Sequence, residues 1–210
     1  MGLIPIGIVG FGYGDWTGHT KHIDELCKAV GNERSFVMLV DVLDDGKVDY
    51  DMYLSNPQTE IEILSHPGLV DATKTCFELL MNKLLEHGRA HQKNPDLPLT
   101  GVVVAVGCWS GQYRADVCRR ALAEALNSVR YDGERVFNAC DFSLHDCKSS
   151  DQKRSRVRMV EQWINEPWMQ VKSVSKEDSW CEGVVEIGKH WSAHLNLVKM
   201  WSLEVYLTAD

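Results

Sequence analysis

Three stretches of the chain are short and almost wholly apolar: 4–12 ("IPIGIVGFG"), 35–42 ("SFVMLVDV") and 102–106 ("VVVAV"). Runs of this length, bounded by polar or glycine-containing segments, fit strands buried on both faces of a parallel sheet. "RVFNACDF" (135–142) reads as a further strand, reached through the turn "RYDGER" (130–135). Between these runs the apolar positions fall at helical spacing. Lys21–Val30 predicts a short helix ending near Gly31, and Leu69–His87, following Pro67-Gly68, predicts a longer one. A third helix carries Val117, Cys118, Ala121, Leu122, Ala125 and Leu126 on one stripe. The segments 43–60 and 90–101 are polar and turn-rich, and read as connections. Strands alternating with helices predict an α/β fold, a three-layer sandwich around a largely parallel sheet.

From Lys148 the pattern changes. "KSSDQKRSRVRM" (148–159) is basic and polar, and reads as the solvated start of a helix that turns Val157, Val160 and Trp163 inward. Trp168, Trp180, Trp191 and Trp201 follow, with strand-like "GVVEIG" (183–188) and "WSLEVYL" (201–207) among them. The expected organisation is one ligand-binding α/β domain over 1–147 and a basic, then Trp-rich, α+β extension over 148–210 packed on the same domain. The tryptophans fit a core or an interface between copies of the chain.

Composition narrows the function classes. A chain of 210 residues that is 44% hydrophobic and 25% charged has an ordinary globular make-up and enough length for a real core. A net charge of -8 argues against coating nucleic acid by bulk electrostatics. A local patch is the exception: Lys153, Arg154, Arg156 and Arg158 would suit RNA phosphates, with Trp163 or Trp168 stacking on bases. No apolar run approaches the ~18 residues that span a bilayer, so no membrane partner is expected. Seven cysteines form an odd set with no dense framework, which fits a reducing compartment, the cytoplasm by default.

The chemistry concentrates in "VVVAVGCWSGQYRADVC" (102–118). A buried strand, a Gly-x-x-x-Gly loop and a helix bring backbone N–H groups and the positive end of a helix dipole to one point, which favours an anion. Arg114 at the helix start adds a fork of donors matched to phosphate oxygens. The predicted phosphate-binding residues are Gly107, Cys108, Trp109, Ser110, Gly111, Gln112, Tyr113 and Arg114. Gly12, Tyr13, Asp41 and Asn56 are expected to line the pocket at the C-terminal strand ends, where open α/β sheets place ligands. This reading assigns no catalytic residue, cofactor or metal. Its ligand is a phosphorylated small molecule, a sugar phosphate or something nucleotide-like.

Two enzymatic readings compete with it. Five residues separate Cys108 from Arg114, as in cysteine-dependent phosphatases; Cys108 would be the nucleophile, Arg114 the clamp, and Asp41, Asp45 or Asp141 the general acid. Gly107 and Ala115 depart from that signature's His and Ser/Thr. Alternatively, Gly7, Gly10, Gly12 and Gly14 with Asp41 suggest a dinucleotide-binding oxidoreductase, although Asp15 takes the third-glycine place. The metal candidates are His19 with His22, His87 with His91, and Cys140, His145 and Cys147. None has a third ligand dictated by spacing.

"VAVGCWSGQYRADV" (104–117 within the longer run) resembles the phosphate loop of the C-terminal domain of RapZ-type RNase adapter proteins, through Gly107, Cys108, Gly111, Arg114 and Val117. Upstream and in the same order, "GFGYG" (10–14), "VDV" (40–42) and "LSNPQ" (54–58) are similar to further stretches of that domain. The likeness covers about residues 4 to 145 and implies an α/β domain that senses a sugar phosphate and contributes to RNA or protein binding. Leu43, Gln58, Trp109 and Tyr113 stand where the family has Arg, His, Thr and His, so the family's own sugar is not implied. A counterpart of the family's preceding nucleotide-binding domain, with its own P-loop, is not expected within residues 1–210.

Overall fold

A computed structural model describes residues 3–30, 35–40, 67–94, 96, 100–131 and 134–165. Asp41, Asp45, Asn56 and the Trp-rich stretch beyond 165 therefore lie outside the described residues. The elements are β1 (Ile4–Gly12), α1 (His19–Ala29), β2 (Phe36–Val40), α2 (Pro67–Lys93), β3 (Val102–Cys108), α3 (Arg114–Ser128), β4 (Arg130–Tyr131), β5 (Glu134–Arg135), β6 (Phe137–Ser143) and α4 (Ser150–Ile164). Among the described residues, β2, β3, β1 and β6 form one four-stranded, all-parallel sheet in that order, and β4 and β5 form a small antiparallel pair.

The continuous apolar runs become the inner strands. Every residue of β1 and of β3 is buried, because helices cover both faces. Side-chain alternation then splits the core into two layers. Ile4, Ile6, Ile8, Val102, Val104 and Val106 meet Phe77, Leu80 and Leu84 of α2 and Leu122 and Leu126 of α3. On the other face Val9, Phe11, Val103 and Ala105 meet Ile23 and Leu26 of α1 and Val157, Val160 and Ile164 of α4. The result is a three-layer α/β/α sandwich. α4 starts at the basic stretch 148–159 and packs on the sheet, with Val157 and Val160 buried and Trp163 half-buried as its pattern predicts.

Strand order matters for the site. β1 connects through α1 to β2, passing β3; β3 connects through α3 to β6, passing β1. Neighbouring strands thus send their connections to opposite faces, and the two loops cross at the C-terminal edge between β1 and β3. In a dinucleotide fold the second strand lies beside the first, so that the acid at its end reaches the ribose. Here β3 intervenes between β1 and β2, and that arrangement is not formed.

The anion-binding loop candidate

β1 and β3 run in register to their last residues, where Gly12 stands opposite Cys108. The pairing continues past the sheet: the Tyr13 N–H donates to the Cys108 carbonyl (3.2 Å) and the Gly14 N–H to the Trp109 carbonyl (2.9 Å). Beyond Trp109 the chain must fold back over the end of β1. Gly111 makes this possible with φ +73°, and a Cβ there would lie 2.3 Å from the Gly12 nitrogen. Only glycine fits such a left-handed residue against another backbone. Gly12, Tyr13 and the loop 107–114 are thereby brought together. Asp41 and Asn56 cannot be placed against them.

Two amides of the loop are engaged locally. The Gly111 N–H donates to Cys108 Sγ (3.2 Å), and the Gln112 N–H to Ser110 Oγ (3.2 Å). α3 then begins at Arg114 with Tyr113 as its N-cap residue, whose side chain makes no cap hydrogen bond. The first turn of a helix has no intrahelical acceptors for its N–H groups, so the first amides of α3 differ from those of Gly111 and Gln112 in having no acceptor within their own element.

Charged side chains cluster around this helix start. Arg114, the first residue of α3, is only 5% exposed. Burial pushes the Cys118 thiol up to about 12, with Cys108 raising it further and Arg114 opposing, so these three groups are neighbours. Asp116, in the first turn, would repel a phosphate, yet its carboxylate is taken up by Arg119 (Nε–Oδ1 3.0 Å) and Arg120 (Nε–Oδ2 3.2 Å). Arg119 also reaches Asp141 on β6. Arg119 and Arg120 thus pair with Asp116 and Asp141 beside the N-terminus of α3.

On the opposite face the end of β1 is held by a histidine. His19 Nδ1 accepts the Gly12 N–H (2.9 Å), and Thr17 Oγ1 donates to the carbonyls of Gly12 (2.8 Å) and Gly14 (2.9 Å). Burial drives the His19 pKa down to about 4, helped by the positive charges of Lys153, His145 and His22. Lys153 Nζ donates to the Thr17 carbonyl (2.6 Å), and Arg154 pairs with Asp151 (2.6 Å), so part of the basic run is engaged within the domain.

The remaining candidates scatter. Cys108 is 3% exposed, and Asp141 is engaged by Arg119. His22 pairs with Glu25 (3.1 Å) and His87 bonds Ser35 Oγ (3.1 Å). Cys147 Sγ bonds the Ser143 carbonyl (3.7 Å). No group of three metal-ligating side chains occurs among the described residues. No described helix is long and apolar enough to cross a membrane. Sequence reasoning missed His19 as a support for the strand end and Trp16 as a neighbour of the loop. "GDWTGH" (14–19), a turn leading from strand into helix, was the available signal for both.

No protein-family model, curated protein or solved structure matches this chain.

Proposed function

We propose that the chain binds the phosphate group of a phosphorylated small molecule at the start of α3, as a sensing or adapter domain rather than as an enzyme. The observation that carries the reading is the seating of Gly111 on Gly12: it holds the N-terminus of α3, which has no side-chain cap from Tyr113, at the C-terminal edge of the sheet, with buried Arg114 as its first residue. Rigid backbone donors at a helix start beside a guanidinium recognise phosphate at little reorganisation cost. The likeness of Gly107, Cys108, Gly111 and Arg114 to the RapZ C-terminal phosphate loop supports the same reading, and extends it to an RNA or protein partner.

Calorimetry with inorganic phosphate and pyrophosphate tests it. Arg114→Ala is expected to weaken binding roughly tenfold to a hundredfold, the loss of a charge-assisted contact of ~1.5–3 kcal/mol. Cys108→Ala is expected to leave affinity unchanged, because the sulfur only accepts the Gly111 N–H. Circular dichroism of each variant checks that the fold persists. Turnover of an aryl phosphate that Cys108→Ser abolishes would replace this reading with the phosphatase one.

A further inference from the structure

Two tryptophans stand in the open beside this loop. Trp16 is 67% exposed and Trp109 48% exposed, whereas large aromatic side chains ordinarily cover most of their apolar area. Both reach the same backbone position. A Cβ on Gly14 would lie 3.1 Å from Trp16 Nε1 and 3.2 Å from Trp109 Cε2, so the two indoles flank Gly14 side by side, and its missing side chain lets them do so.

Their supports are rigid. The Gly14 N–H is bonded to the Trp109 carbonyl (2.9 Å), which ties the two loops together at the point where the indoles emerge. The turn that carries Trp16 is closed by Thr17, whose N–H and hydroxyl both bond the Gly14 carbonyl at 2.9 Å. The Tyr13 ring meets Trp109 edge-on, centroids 5.6 Å apart and planes at 82°. A ring braced while still exposed, as Trp109 is by Tyr13, has lost part of its freedom before any ligand arrives, which favours tight stacking.

We propose that Trp16 and Trp109, with Tyr13 bracing the latter, form a stacking platform for a nucleobase, so that the ligand of the loop is a nucleoside phosphate; this rests on the phosphate reading of the loop. Trp109 lies between Cys108 and Gly111, within the loop itself, so one small ligand carries both a ring for the indoles and a phosphate for α3. A base joined to a phosphate through one ribose has that build. A bare sugar phosphate offers the indoles no π-face. An acyl chain would call for a broader apolar patch than these rings provide.

Calorimetry on the full chain with adenosine monophosphate, ribose 5-phosphate, adenosine and pyrophosphate separates the possibilities. Base stacking on an aromatic side chain contributes on the order of 1–3 kcal/mol, so the nucleotide is expected to bind roughly tenfold to a hundredfold tighter than ribose 5-phosphate. Trp109→Ala and Trp16→Ala should each remove most of that advantage, with pyrophosphate binding left intact in Trp16→Ala, and Trp109→Phe should restore it. Equal affinity for the nucleotide and ribose 5-phosphate, or an advantage that survives both alanine variants, overturns the proposal. Pyrophosphate that fails to bind, beside adenosine that binds and depends on both tryptophans, removes the phosphate reading of the loop and keeps the platform. Failure of adenosine, nucleotide and pyrophosphate alike removes both.

Discussion

His19 supports the end of β1 only while its imidazole is neutral, since Nδ1 must accept the Gly12 N–H. Its pKa in the fold, about 4, lies below the ordinary 6.5, so the unfolded chain takes up the proton first as pH falls. The stabilisation is complete above pH 6.5 and is lost progressively between 6.5 and 4, a change on the order of 3 kcal/mol. His19→Ala should lower stability at pH 7 by about 1–3 kcal/mol, the cost of a buried N–H without an acceptor, and flatten the acid limb. Urea melts at pH 7 and pH 5 check both; an unchanged slope with pH would contradict this role. Gly111 makes a second residue-scale case beside Gly18. Both have positive φ, but nothing lies within 4 Å of a Cβ on Gly18, whereas one on Gly111 meets the backbone of Gly12. Gly18→Ala should therefore cost only the left-handed conformation, about 1–2 kcal/mol. Gly111→Ala should cost more and also abolish anion binding, which melts and calorimetry on the pair would show.

At the scale of elements, α4 is held at its start by a reciprocal capping box: the Gln152 N–H donates to Ser149 Oγ (3.2 Å), and Gln152 Oε1 accepts from the Ser149 N–H (3.2 Å). Ser149→Ala should cost about 1 kcal/mol in a thermal or urea melt, with anion affinity unchanged, because the cap lies on the other face from α3. Elements were the most legible level of the sequence. Runs such as 102–106 admit few alternatives to a buried parallel strand, and the stripe through Val117, Leu122 and Leu126 is the face that α3 buries. The longest helix was misjudged at its end. Expected to stop at His87, α2 continues through Gly88 to Lys93. An isolated glycine costs only about 1 kcal/mol in a helix, and a pattern of apolar positions carries no signal for a polar final turn. His87 itself is tied by its ring to Ser35 and to the Thr100 carbonyl, contacts that no local pattern announces.

For the whole molecule, the alternation of strands and helices implied three layers, but not which strands are neighbours. That β3 lies between β1 and β2 follows from long-range packing, and it is what separates this sheet from the dinucleotide arrangement that the glycines of β1 suggested. The site was half legible. The loop declared itself through glycine spacing and Arg114, and Gly12 and Tyr13 meet it because β1 and β3 are adjacent. The exposed indole of Trp16 and the support from His19 come from a connection that crosses the loop only in three dimensions. The central claim is that an anion sits on the first turn of α3. A titration of the 15N-labelled chain with inorganic phosphate, followed amide by amide, tests it most directly. The account predicts saturable shifts centred on residues 111–117 and spreading to Gly12 and Tyr13, absent in Arg114→Ala. Shifts confined to the basic face of α4, or none at all on α3, would contradict it.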